Sequence, residues 1–232
     1  MAGNMKCLWC QKTIIRNLLL TELFFPWQLK GECCLVCQKK LAKLSREGTC
    51  PTCMKPVVSP NFRCNDCDYW RKKYSNYDFA HRAMYHYDSG FQDWLHAYKF
   101  LGDYRLRQVI AKEVKKELGG YSDFLICGIP LSSKRFAQRG FNQVEGVLEA
   151  AGISRYAFLQ RKVDTKPQAQ KNRQERLAME QPYELAVPME EVKNKQILLV
   201  DDVYTTGRTL FHGAEVLIKA DAKLVRTFSF AR

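Results

Sequence analysis

The stretch ILLVDDVYTTGRTL, residues 197–210, decides how this chain is read. Ile197, Leu198, Leu199 and Val200 form an all-apolar run of the kind a parallel strand needs when both of its faces are buried. Asp201 and Asp202 follow where such a strand ends, and open α/β sheets bind their ligands at that edge. Thr205, Thr206, Gly207, Arg208 and Thr209 then offer hydroxyls and consecutive backbone N–H groups in the first turn of a helix predicted to run to about Ala220. The first amides of a helix lack intrahelical partners and sit at the positive end of its dipole, so they suit a phosphate dianion. Gly207 permits a positive φ or a close approach of backbone to the anion, while the carboxylates can accept hydrogen bonds from vicinal ribose hydroxyls. Together these residues describe a pocket for a phosphorylated ribose. Two plainer alternatives are an acidic turn before a capped helix and the magnesium-binding strand end of receiver-like domains, but neither requires Thr-Thr-Gly-x-Thr beside the acids.

The segment resembles the phosphoribosyl-pyrophosphate (PRPP) loop of type I phosphoribosyltransferases, with the apolar strand, Asp-Asp and Thr-Thr-Gly-x-Thr all present at the right spacing. That resemblance implies an α/β fold in which a parallel sheet is flanked by helices.

Working outward, 232 residues leave room for a main core and an accessory module. A chain that is 46% hydrophobic and 26% charged is globular rather than disordered. The net charge of +13 implies attraction to polyanions, nucleic acid or phosphorylated small molecules, without choosing between them. An apolar patch at residues 18–29 is interrupted by Glu22 and Pro26 and is too short to cross a bilayer, so neither a signal peptide nor membrane insertion is expected. The expected location is the cytoplasm. Thiols stay reduced there, and ten cysteines then argue for metal rather than disulfides.

The cysteines form four CxxC pairs within the first 67 residues: Cys7 and Cys10, Cys34 and Cys37, Cys50 and Cys53, Cys64 and Cys67. A two-residue gap lets both sulfurs of a pair point at one ion, and zinc prefers four tetrahedral thiolates, so eight ligands imply two zinc ions. The simplest pairing joins the first two pairs on one ion and the last two on the other; an interleaved pairing is the alternative. Redox chemistry at a single pair is the rival reading, disfavoured by four clustered pairs. Cys33 adjoins Cys34 but lacks the CxxC spacing, and Cys127 lies in an apolar strand as a core thiol. With few large apolar runs, residues 1–75 depend on metal for folding. Filled tetrads leave no open coordination position, which favours a docking or nucleic-acid platform over a catalytic metal.

Those residues also hold 13 Lys/Arg against 5 Asp/Glu, so the basic excess is concentrated here. Trp9, Tyr69 and Trp70 lie beside the knuckles and among Arg63, Arg71, Lys72 and Lys73. Aromatics among cations suit base stacking and phosphate neutralisation in single-stranded nucleic acid; packing a small core is the equal alternative.

From about residue 76 the periodicity becomes that of a larger α/β domain, giving a division into 1–75 and 76–232. A strand is expected over residues 80–87, then a helix capped by Asp88 with Phe91, Trp94, Leu95, Tyr98 and Leu101 on one stripe. A second helix over residues 103–118 is expected to end at Gly119-Gly120. Residues 124–129 read as another strand, followed by the basic segment PLSSKRFAQRGFNQ at residues 130–143, a suitable second anion subsite. The stretch RKVDTKPQAQKNRQER, residues 161–176, lacks a core stripe and reads as a lid over a pyrophosphate, a DNA-backbone contact or a solvated loop. The four histidines suit ordinary core or surface roles.

Taken with the PRPP loop and the cysteine module, PLSSKRFAQRGFNQ and the shorter segments CPTC, YKFLGD and TFSFAR resemble the ComF/ComFC late-competence family over nearly the whole chain. Members look like a zinc module fused to a phosphoribosyltransferase-type domain. The resemblance implies that Asp201 and Asp202 hold the ribose hydroxyls and serve any catalysis, that residues 205–209 hold the 5-phosphate, and that Lys134, Arg135 and Arg139 face the pyrophosphate, with magnesium bridging. It implies a role in importing transforming single-stranded DNA beside an ATP-driven DNA translocase, with partners holding the protein at the inner face of the membrane. Competing readings are an active phosphoribosyltransferase of nucleotide salvage, which would not need the zinc module, and a PRPP-sensing regulator of duplex DNA. No helix-turn-helix pattern supports the last. No acceptor-base pocket is recognisable.

Overall fold

Three of the four parallel strands of the central sheet come from the second half of the chain, and this places residues 197–203 in its middle. The computed structural model describes residues 5–14, 24, 33–57, 63–75, 77–162 and 181–232. The helices are α1 (Leu35–Lys39), α2 (Asn65–Lys73), α3 (Ser89–Lys99), α4 (Arg107–Leu118), α5 (Ser133–Arg139), α6 (Gln143–Ala150) and α7 (Arg208–Lys219). The strands are β1 (His81–Tyr85), β2 (Leu125–Gly128), β3 (Leu159–Arg161), β4 (Tyr183–Leu185), β5 (Gln196–Val203) and β6 (Leu224–Ala231). The sheet order is β1-β6-β5-β2, all parallel, and β3 and β4 form a separate antiparallel ribbon.

β5 shows why its apolar run is needed. Leu198 and Val200 face the core covered by α3, α4 and α6, while Ile197 and Leu199 face the one formed with α7 and the β3–β4 ribbon. Alternation along a strand buried on both faces thus makes every position apolar. Asp88 caps α3 as expected, its Oδ1 accepting from the Phe91 amide at 3.0 Å, and Phe91, Trp94, Leu95 and Tyr98 are buried along the predicted stripe. Leu101 differs: it is exposed just beyond the end of α3. The Gly119-Gly120 stop differs too, because the chain continues through a 3₁₀ turn at Gly119–Tyr121 that brings Tyr121 and Phe124 against the core.

The cysteine-rich part repeats one local design. In each half a CxxC turn puts the following residue, Gln11 or Met54, at φ 60, and the second pair opens a short helix behind Cys34 or Cys64. This part also covers the outer edge of β1. The His81 amide donates to the Thr52 carbonyl at 2.8 Å, the Leu44 amide to the Met84 carbonyl at 2.8 Å, and the His86 amide to the Ala42 carbonyl at 2.9 Å. An edge strand left open would present these groups to other chains. The proposed lid, residues 161–176, lies outside the described residues from 163 onward, as does nearly all of the 18–29 patch; no described helix is long and apolar enough to cross a membrane.

Candidate functional site

β5 runs three residues past its apolar stretch, because Asp201 pairs in register with Ser229 and Val203 with Ala231 of β6. Asp201 and Asp202 therefore sit within the strand itself, held by the ladder. The loop that follows reaches α7 through Gly207, whose φ of 77° is left-handed. The backbone here lies close to protein, since a Cβ at Gly207 would overlap the Tyr204 ring beneath it. G207A should therefore lower stability by about 2–5 kcal/mol, from the left-handed backbone and the overlap together. Denaturant unfolding of the purified variant measures this, and a change within experimental error would show that the turn relaxes freely.

A cavity of about 390 Å³ opens at this edge. Asp201, Asp202, Thr205, Thr206, Arg208 and Thr209 all line it, so the acid pair and the loop share one space. Of the three cations assigned to the pyrophosphate side, Arg135 lines the cavity, Arg139 approaches it through Gln143, and Lys134 is exposed outside the lining.

The acids differ in environment. Asp202 Oδ2 accepts from Lys99 Nζ at 2.6 Å and from Gln143 Nε2 at 2.9 Å, and Gln143 Oε1 accepts from Arg139 Nη1 at 3.1 Å. Asp201 has no such cation in contact among the described residues; burial, followed by the charge of Asp202, raises its carboxyl to about 7. Asp202 is thus the hydrogen-bond acceptor at the centre of a network, while Asp201, shifted upward by burial, exchanges its proton near neutrality.

Lys99 and Gln143 were not singled out as site residues from sequence, although both fall in segments already recognised, YKFLGD and PLSSKRFAQRGFNQ. His212 was given an ordinary role. It lines the cavity at 5% exposure, its ring nitrogens have no hydrogen-bond partner among the described residues, and burial, then the neighbouring Arg208, lower it to about 4, so it is neutral at pH 7. Its spacing, one turn after Arg208, was the available signal. The β3–β4 ribbon adds Arg161 and Tyr183 to the wall, and Lys99, Arg135, Arg161 and Arg208 give the cavity a cationic surround suited to a polyanion.

The eight cysteines converge as two tetrads, Cys7, Cys10, Cys34 and Cys37, then Cys50, Cys53, Cys64 and Cys67, with each set of sulfurs within 4.8 Å of one another. This is the sequential pairing, and Cys33 stands outside it. Sulfur separations of 3.7 Å (Cys10 to Cys34), 3.5 Å (Cys53 to Cys64) and 3.9 Å (Cys50 to Cys67) are far too long for disulfides. They match the roughly 3.8 Å edge of a tetrahedron with Zn–S bonds of about 2.3 Å. Amides of Cys34 and Cys64 donate to the sulfurs of Cys7 and Cys50, as thiolate ligands favour. The donor set fits zinc. Cys127 is fully buried, and burial pushes its thiol up to about 12, in keeping with a core role.

Trp70 is 2% exposed and stacked on Phe211, so of its two sequence readings the packing one holds. Tyr69, at 44% exposure, stays open to solvent with Arg71, Lys72 and Lys73.

Residues 105–232 match the phosphoribosyl transferase domain family. The whole chain is similar to a protein of Streptococcus pneumoniae named Competence protein ComFC, at 38% identity over 98% of this chain and 100% of that one. It is also similar to the Bacillus subtilis protein of the same name, at 30% identity over 97% of this chain and 94% of that one.

Proposed function

Because this chain belongs to the ComFC competence-protein family and carries a phosphoribosyl transferase domain, we propose that it assists import of transforming single-stranded DNA and binds PRPP with magnesium in the β5 cavity. The observation that carries the PRPP half is the convergence of the α7 N-terminus and two buried carboxylates on one cation-rimmed cavity. In this reading Asp201 and Asp202 take the ribose diol, residues 205–209 the 5-phosphate, and Arg135, with Arg139 and Lys134 behind it, the pyrophosphate. Magnesium bound together with PRPP would neutralise charge at the pyrophosphate beside these residues. Residues 1–75 form the zinc-bearing module and 76–232 the phosphoribosyl part. The protein works in the cytoplasm beside an ATP-driven DNA translocase, which brings it to the inner face of the membrane.

For the DNA half, the net charge of +13 and the exposed row Tyr69, Arg71, Lys72 and Lys73 supply one stacking ring and three phosphate-binding cations. Binding of a labelled single-stranded oligonucleotide should exceed that of duplex. Its affinity should fall with salt at a slope of about −0.7 per phosphate contacted. Fluorescence anisotropy across a salt series reads both, and indifference to strandedness would remove the DNA role.

A second reading, transfer of the phosphoribosyl group to a base, is favoured by the β3–β4 ribbon, which frames the cavity with Arg161 and Tyr183. The ribose centre would pass through an oxocarbenium-like state. The protein's contribution would be to hold the diol at the acids and stabilise departing pyrophosphate with its cations. Pyrophosphate release on presenting PRPP with a panel of bases tests that reading.

A further inference from the structure

The first turn of α2 carries Cys67 and its N-cap is Cys64, so half of the second tetrad fixes where this helix begins. Trp70 follows Cys67 by three residues and shares its side of the helix. Its indole stacks on Phe211 of α7, with centroids 4.4 Å apart and planes at 19°, and its Nε1–H donates to the Thr206 carbonyl at 2.8 Å. Thr206 lines the β5 cavity, whereas Trp70 does not. The bond thus comes from behind the loop, and from a helix remote from it in sequence.

A trans peptide is planar, with its carbonyl and N–H on opposite sides. Gripping the Thr206 carbonyl from behind therefore turns the Gly207 N–H away from the indole, to the side from which an anion cradle takes its donors. The glycine, at φ 77, offers little stiffness of its own against rotation of that peptide. A second contact, from the residue that caps the C-terminus of α2, runs from the Tyr74 hydroxyl to Glu215 Oε2 at 3.3 Å and reaches α7 farther from the loop. The first tetrad has another setting: its partly buried neighbours include Trp9, Ile14 and Val109, the last on α4.

We infer that Trp70 is a positioning residue for the phosphate loop, through which the helix anchored by the second cysteine tetrad fixes the orientation of the Thr206–Gly207 peptide. The inference rests on the reading of residues 205–209 as an anion cradle.

The test is W70F in the zinc-loaded full chain, which keeps an aromatic stack on Phe211 and deletes the donor, with Y74F as the comparison that removes the hydroxyl bonded to Glu215 of α7. Zinc content is measured first and should remain two per chain. Hydrogen exchange of the peptide covering residues 204–210, without ligand, should be about three- to tenfold faster in W70F and unchanged in Y74F. PRPP with magnesium should bind W70F about three- to tenfold more weakly by calorimetry, with Y74F like wild type. Exchange in W70F equal to wild type, or raised equally in Y74F, overturns the inference. Wild type that fails to bind PRPP defeats the pocket reading instead, while the exchange result still decides the role of Trp70. If W70F loses zinc or its fold, benzothienylalanine at position 70 preserves the bicyclic shape without the N–H and gives the same two readings.

Discussion

A chelator able to take both zinc ions should unfold the whole chain, not only its first 75 residues. Structural zinc in small domains contributes about 10–16 kcal/mol of apparent binding free energy, comparable with or above the roughly 5–15 kcal/mol net stability of a whole domain. Here the second tetrad also belongs to the same buried cluster as Ile129, Ile197, Leu199 and Leu217, so its loss opens a face of the main sheet. The residues that cover β1 lie between and within the cysteine loops, at 42–44 and 52–54. Releasing them leaves the amides and carbonyls of that strand's outer edge bare. Circular dichroism and light scattering during chelation, with zinc release measured in parallel, should show unfolding and aggregation together. A chain that keeps its cooperative melt after losing both ions, or that is purified unoxidised without zinc, would refute this.

Replacing Asp201 and Asp202 together by Asn should weaken PRPP binding by about 10²–10⁴-fold. Each carboxylate that accepts a hydrogen bond is worth about 1.5–3 kcal/mol, and two together account for that range. The acids separate in their pH behaviour. Asp201 is raised to about 7, first by burial and then by Asp202, above the unfolded value of about 3.9. Its contribution to folding stability is therefore full below about pH 4 and is lost as pH rises through 7. Binding has the opposite sign, because the diol needs the ionised carboxylate: affinity should rise between pH 6 and 8 in wild type, and D201N should remove the part of that rise centred near 7. D202N should also lower the melting temperature, since Lys99, with a side chain only 17% exposed, loses its partner. Calorimetry across pH settles the binding claim, and wild-type affinity retained in the double variant would end the proposed role of the acids. Transformation surviving in that variant would separate the pocket from DNA import.

The parts of this structure legible in the sequence are those whose physics is local. The buried β5 run, the Asp88 cap, the α3 stripe and the CxxC knuckles each depend on residues a few positions apart. The site was legible in its loop and acids for the same reason. What was not legible joins distant segments through groups with no periodic signature. Lys99 reaches Asp202, and Gln143 links Arg139 to it, through single hydrogen bonds. Trp70 reads equally as a base-stacking ring or a core ring from its charged sequence neighbours, and its partner Phe211, which decides for packing, lies on α7. The covering of β1 is made largely by backbone groups, which any sequence possesses.

The sheet order has a consequence for assembly. Among the described strands β1 joins the others through β6, so His81 must wait for Thr227 to be synthesised before it finds its neighbour. Pairings so remote along the chain form late, whereas short loops closed by metal form early. A nascent β1 clasped along one side by the metal loops has a single vacancy left, the one β6 will fill. Zinc would then act during birth of the chain as well as afterwards, narrowing the ways an unfinished strand can go astray.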